Sequence, residues 1–469
     1  MPSPEAKTQH RVFLLLVQKE WRDLLAGRAF WALLLLLSPL VGYSFAQALA
    51  LYGEASKSAA GVPEVARNLS PLDGILVPTF GGLYLAATFL FPFVVIRTLG
   101  SEKQTGSLKL LLQLPCTLGT VMAAKLAVLG VAWLMMALPC LTAVAIWSWA
   151  GGHVGFGELG NLLLGHLLYG AVITGIALLA AALAESSATA AILALAITMG
   201  FWVLDFAAAG EPGLLKALSE MSPTTLLRDF ERGIFSLGAA LGAVATTTGL
   251  ITVAGVWLNL RSTRVRKLVL TVPVVLATAG TLAGTSQLHR FADVTEDARN
   301  SFDPADMATL KRLDKRLTIL VRLAPEDPRY IDFERKILGI LRRAMPDVEV
   351  QLESESRSGL FEGASESYGT IRYRYAGRED ESRSTGAGEV LPLIYGLAGV
   401  QREAVAASPG YPGYPLQVDP RPAQVWFYGV LPLLIVALWG VTQGLVPIGR
   451  RKATRDAGLE RRQPQQEER

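Results

Sequence analysis

Few residues in this chain of 469 could do chemistry, and their spacing excludes more than it supports. A phosphate-cradling P-loop needs G-x-x-x-x-G-K-[ST]; Gly100 to Gly106 has the wrong spacing and is followed by Ser107. Cys116 and Cys140 are the only cysteines, so residues 288–423 hold no disulfide, CxxC pair or cysteine metal site. There is no pair of carboxylates inside the apolar runs, no histidine cluster with metal-ligand spacing and no G-x-S-x-G turn, so enzyme chemistry is not expected of this chain. What stands out instead is ionisable residues inside long apolar runs, where charge is costly and often functional. Lys125 and Asp205 sit near the ends of their runs and are expected to reach an interface by snorkelling. His166 is expected to be packed or hydrogen-bonded, and Thr246, Thr247 and Thr248 can satisfy their hydroxyls against the preceding helical turn.

Those apolar runs define the framework. Mean hydropathy is +0.36, apolar residues make up 51 % and charged residues 18 %, below the roughly 25 % of soluble domains. The deficit is local: 288–423 has ordinary charge density, and 28–287 is broken into long apolar stretches. A bilayer core takes about 20 apolar residues as a helix, the only form that satisfies its own backbone there. Eight stretches qualify: 28–51, 79–98, 119–149, 160–184, 186–207, 234–260, 266–287 and 424–447. Small residues such as Gly170, Gly175, Ala239, Gly242 and Ala245 permit close helix packing. Ala46-Gln47-Ala48 looks like a signal-peptidase site, but the 27 residues before the first run are too long for a usual n-region, so the run is read as a span.

The net charge of +4 and pI near 9.0 do not indicate nucleic acid, because the basic residues cluster beside apolar runs rather than on one soluble face. They serve as topology signals. With eight spans, Arg11, Lys19, Arg22 and Arg28, then Arg97, Lys103 and Lys109, then Arg261, Arg264, Arg266 and Lys267, then Arg450, Arg451, Lys452 and Arg455 all fall on one side. Both termini are therefore expected in the cytoplasm of a bacterial inner-membrane protein, with 288–423 extracytoplasmic. Residues 9–27 place Val12, Leu15, Leu16, Trp21 and Leu24 among charges, which fits either an amphipathic interfacial helix or the start of a long first span.

After the second span, Arg97 to Pro115 forms an amphipathic stretch between Gly and Pro breakers, with Leu108, Leu111 and Leu112 at helical spacing beside Glu102, Lys103 and Lys109. A short helix lying along the membrane is something a soluble motor subunit could push, and an ordinary solvated loop helix fits the periodicity equally. The pattern of Glu102, Gly106, Ser107 and Leu108, then paired leucines and Pro115, resembles the first cytoplasmic loop of ABC type-2 permeases. The interfacial N-terminal segment, six spans and the short turn at Glu185-Ser186-Ser187 resemble that family too, over residues 9–262. The resemblance implies a coupling helix docked on a separate ABC ATPase, with Glu102, Lys103, Gly106 and Leu108 at the contact and Glu185 in a second one. It also implies a homodimer or a related second subunit, with no cofactor in this chain and ATP and magnesium on the partner.

The segment 288–423 reads as a small α/β unit. Asp303-Pro304 opens a helix, 317–323 alternates as a strand, 328–344 has helical spacing, and Val348 and Val350 mark a strand. Tyr368 to Tyr375 and Glu379 to Ser384 flank Ala376-Gly377-Arg378 as a hairpin, and a helix follows at 387–400. That order is thioredoxin-like, without redox chemistry, since the loop 324–328 has no cysteine. Its start, Arg290 to Asp303, and the stretches Tyr368-Gly-Thr-Ile-Arg-Tyr and Glu389-Val-Leu-Pro-Leu-Ile-Tyr resemble the outward domain of the gliding-motility-type ABC auxiliary component. The resemblance implies a permease fused to a shortened auxiliary domain.

The expected organisation is therefore a segment 1–27, a six-helix permease domain 28–262, a seventh span within 263–287 and an extracytoplasmic domain 288–404. A Pro/Gly-rich tether 405–423, an eighth span 424–447 and a basic tail 448–469 complete it. The fold class is a polytopic α-helical membrane protein with an extracytoplasmic α/β domain. The expected function is a permease that couples ATP hydrolysis elsewhere to export or to mechanical transmission. The alternative is a membrane anchor presenting a partner-binding domain, for which one span would suffice.

Overall fold

A computed structural model describes residues 4–111, 113, 117–207, 219, 222–259, 262–288, 290–324, 327–345, 347–353, 368–401 and 411–445. Leu112, Pro115, Cys116, much of the loop 208–233, the first part of the tether and the basic tail 448–469 fall outside them.

Eight described helices are long and apolar enough to cross a membrane: Arg28–Ser58, Leu72–Thr105, Leu118–Trp149, Phe156–Leu183, Ser187–Asp205, Leu237–Leu258, Arg264–Ser286 and Arg421–Gln443. The chain is thus a polytopic helical membrane protein. The second and fourth spans form the interior, with 67 % and 72 % of their apolar windows buried, and the seventh has none buried and lies outermost. The fourth span can be surrounded because its small residues admit neighbouring rings: Trp133 lies directly over Gly170, where a Cβ would have no room. The seventh packs on the sixth, where Lys267 Nζ donates to Trp257 O at 2.6 Å. The eighth packs on the first, with Ser38 Oγ donating to Phe427 O at 2.8 Å.

Three boundaries differ from the sequence reading. The second helix runs from Leu72 to Thr105 rather than stopping at 98, with its hydrogen-bond ladder interrupted at Leu90, ahead of Pro92. Residues 234–236 are not the start of the sixth span; Ile234–Ser236 (β1) pairs antiparallel with Phe291–Asp293 (β2), stitching the soluble unit to the bundle. The N-terminal helix Pro4–Ala26 is separated from the first span by Gly27, whose extended backbone breaks the ladder, which settles the two readings in favour of a distinct helix.

The soluble unit carries a four-stranded sheet ordered β4-β3-β5-β6, with β3 Leu317–Val321, β4 Val348–Leu352, β5 Ile371–Tyr375 and β6 Arg378–Ser382. β3 and β4 are parallel and the other pairs antiparallel. The parallel pair needs a crossover, which Pro328 to Ala344 supplies in helical turns. The β5–β6 turn places Ala376 at φ 54° and Gly377 at φ 82°, the two left-handed residues of a tight hairpin. Leu317, Ile319, Val321, Ile371, Tyr373 and Tyr375 face one buried core with Phe333, Leu338, Leu341, Val390 and Ile394. The helix opened by Asp303-Pro304 and the helix at Ala387–Ala398 are where the sequence places them.

Asp293 organises the junction, accepting from Thr295 N at 3.0 Å, Thr295 Oγ1 at 2.6 Å, Asn300 N at 2.9 Å and Ser301 Oγ at 2.9 Å. Hydrogen bonds to a charged group are worth about 1.5–3 kcal/mol each, so losing several loosens the loop. The variant Asp293→Ala is expected to raise amide exchange across 294–301 at least about tenfold while leaving the sheet protected. Unchanged exchange there would refute the organising role of this carboxylate.

Candidate functional site

At the end of the bundle where the second span finishes, four charged side chains meet. Lys125 is 1 % exposed and sits about two turns into the third span. Its Nζ donates to Glu20 Oε2 at 2.9 Å and to Thr98 O at 2.8 Å, and makes an ion contact with Glu102 Oε2 at 2.9 Å. Two of the three ammonium donors are thus used in hydrogen bonds, and Glu102 adds charge compensation, its buried Oε2 having no hydrogen-bond partner among the described residues. Lys19 pairs with the same two acids, close against Glu102 and 2.9 Å from Glu20 Oε1, and lies 3.5 Å from Asp23. Burial works against charge on Lys19, but the Glu102 and Glu20 carboxylates outweigh it and hold its ammonium above the ordinary lysine range.

The elements explain why the four converge. The N-terminal helix packs along the third span and turns Leu16, Glu20 and Leu24 inward at four-residue spacing, leaving Leu14 and Leu15 exposed. The extension of the second helix past residue 98 carries Glu102 to the same level. The snorkelling expected of Lys125 is therefore overturned: the surrounding helices enclose it, and counter-charges come to it. Asp205 meets hydroxyls instead, with Ser219 Oγ donating at 3.1 Å, Ser222 Oγ at 3.2 Å and Thr224 closer still. His166 is packed, its Nδ1 3.0 Å from Leu162 O and its ring edge-on to Phe80. Thr246 and Thr248 bond back to Gly242 O and Val244 O, whereas buried Thr247 Oγ1 finds no partner among the described residues.

The residues expected at a coupling contact divide. Glu102 faces inward and is 6 % exposed, and Leu108 joins the bundle core, so neither lies on the surface as expected. The reason is the helix extension: the backbone to Thr105 continues the span, Gly106 ends it at φ 74°, and only Ser107–Leu111 forms a separate turn. Lys103 folds back to cap the fourth span, donating to Ala182 O at 2.8 Å and Ala184 O at 2.5 Å. That brings it to the turn carrying exposed Glu185, and Gln104 Nε2 reaches Ser187 Oγ at 3.3 Å. The surface of this end presents Gln104, Thr105, Lys109, Leu110 and Glu185, with Gly106 half-buried among them. Sequence reasoning missed Glu20 as a site residue and Glu102 as an internal partner. The available signal was Lys125 itself, a cation in an apolar run that must find carboxylates on its own side of the membrane.

At the opposite end the soluble unit docks through polar contacts. Arg299 pairs closely with Asp73 of the second span and with Asp297 at 2.8 Å. Glu296 N donates to Glu158 Oε1 at 3.0 Å, and His153 Nε2 lies 2.7 Å from Glu296 Oε2 while its ring stacks on Tyr414 of the tether at 3.7 Å. Near this end, a cavity of about 530 Å³ opens between the fourth, sixth and seventh spans and the helix Pro223–Glu231, lined mainly by small apolar and hydroxyl side chains with Asp229.

A family model described as "ABC-2 family transporter protein" matches residues 14–294. No curated protein and no solved structure matches the chain.

Removing one partner of a buried ion group costs about 3–5 kcal/mol, because the others are left uncompensated. Lys125→Met is accordingly expected to lower the unfolding temperature of the detergent-solubilised protein sharply, and Glu20→Gln added to it should recover part of the loss. A single variant as stable as the parent, measured by thermal unfolding, would show that the cluster does not hold these helices together.

Proposed function

The chain belongs to the ABC-2 family of transporter proteins, and from that premise we propose that it is the permease subunit of an ABC transporter whose ATP is hydrolysed by a separate ATPase. The reading places both termini and the Glu102 end in the cytoplasm, and the soluble unit outside as a thioredoxin-like module akin to a gliding-motility-type auxiliary domain. Two copies, or one with a related subunit, complete the pore-forming pair.

The observation that supports coupling is the continuity of the second span. A single helix from Leu72 to Thr105, roughly 50 Å at 1.5 Å per residue, carries Asp73 against the soluble unit at one end and Glu102 in the ion cluster at the other. Its last turn is braced on the 184–187 turn through Lys103 and Gln104. A partner pressing on Gln104 to Leu110 and Glu185 would move this rod, so the contact residues are the exposed ones. Glu102, Lys103 and Leu108 act from inside to stiffen the end. The same continuity favours transmission to the outward module over passive anchoring, since an anchor needs no rod joining the two faces.

The test is the pair Lys109→Glu and Glu185→Lys in the full chain co-expressed with its ATPase. ATPase co-purification and ATP-dependent function are each expected to fall about tenfold or more, as for lost charge-assisted contacts, with membrane insertion unchanged. Cysteines at Leu110 and Ser384 should label from the cytoplasmic and outer faces respectively. Full ATPase retention by both variants, or the reverse labelling pattern, would sink the proposal.

A further inference from the structure

Between the first and eighth spans, at the same end as the ion cluster, lies a cleft of about 160 Å³. Arg28, Trp31, Ala32, Leu35, Ile435, Val436 and Trp439 line it, so it holds one charge, two indoles and otherwise apolar walls. Three observations make it more than a lipid-facing seam. Arg28 is exposed at the mouth and has no ion pair among the described residues, whereas the neighbouring Lys19 is fully engaged. Trp31 is fixed, its Nε1 donating to Leu25 O at 2.7 Å. Trp439 Nε1 is buried and has no acceptor among the described residues, which an apolar acyl chain alone would leave unsatisfied.

We propose that this cleft binds an anionic phospholipid, with its phosphate on Arg28, a phosphate or ester oxygen accepting from Trp439 Nε1, and an acyl chain along Leu35, Ile435 and Val436. The charge selects the occupant. Among the described residues no acidic side chain lines the cleft to receive a choline or ethanolamine group, and the charge on its wall is the cation of Arg28. The apolar walls select a lipid over a free anion, which would bury no chain in them. A bound lipid would fasten the eighth span, 11 % buried, to the first, beside the bond that Gln443 Nε2 donates to Ala26 O of the N-terminal helix at 3.3 Å.

The full-length protein, purified in a mild detergent, would be titrated with phosphatidylglycerol and with phosphatidylcholine of the same chains, and bound lipid read by native mass spectrometry. The parent is expected to retain one phosphatidylglycerol per chain in preference to phosphatidylcholine. Arg28→Gln and Trp439→Phe should each weaken that retention about tenfold, the worth of one charge-assisted hydrogen bond. Trp439→Phe keeps the ring and tests the N–H alone, and thermal unfolding checks that both variants are folded. Equal retention of the two lipids, indifference to both substitutions in folded protein, or displacement of the lipid by inorganic phosphate would overturn the assignment.

Discussion

The ammonium of Lys125 cannot remain unpaired where it lies, and much of this end of the molecule is arranged around that fact. Burying one ion costs several kcal/mol, which attraction offsets only with good geometry and full hydrogen bonding. Two carboxylates and a backbone carbonyl surround it, drawn from two other helices: Glu20 from the N-terminal helix, Glu102 and Thr98 from the second span. The cluster therefore sets the register of three helices at once. Apolar packing alone would leave that register soft, since lipid competes equally well for leucine side chains.

The second span inherits a special position from this. Its last turn is held by the cluster from within and by the fourth-span carbonyls through Lys103, while its first turn meets Arg299 of the soluble unit. The break in the ladder at Leu90 lies between these anchor points. In the proposed reading a push at the Gly106 turn is carried along one covalent rod, and no chain of loose contacts is needed between the two faces of the membrane.

Much of this was legible beforehand because it rests on local pattern. All eight spans follow from run length, and the strand, helix, strand, hairpin, helix order of the soluble unit follows from alternation, the Asp303-Pro304 start and the Ala376-Gly377 turn. What escaped depends on contacts between distant segments. The helix continues through Glu102 because buried counter-charges and the Lys103 cap stabilise polar residues that look like loop in a linear reading. Ile234–Ser236 looked like the start of a span because Ile234 and Phe235 are apolar and continuous with one, whereas they pair with a distant strand, Phe235 opposite Ala292, 57 positions later. Lys125 was read through its proximity to an interface, whereas the enclosing helices decide its exposure.

The two ends differ in the kind of interaction that holds them, and this bears on where motion belongs. At the cluster three of the four charges are shielded: the Lys125 side chain is fully buried, Glu20 and Glu102 are nearly so, and Lys19 alone is 38 % exposed. At the other end the Arg299–Asp73 pair has Asp73 60 % exposed, and His153 and Glu296 are about a third exposed each. Exposed pairs contribute about 0–1 kcal/mol, whereas disrupting a buried group costs several times more. Yielding contacts therefore lie between bundle and soluble unit, and unyielding ones lie around Glu102. A displacement of the second span would conserve the cluster as a rigid body and rearrange the Asp73 and His153 contacts first, with Glu158, 3 % exposed, the buried exception at that end. That asymmetry suits a device in which force enters at the stiff end and changes the pose of the module at the other.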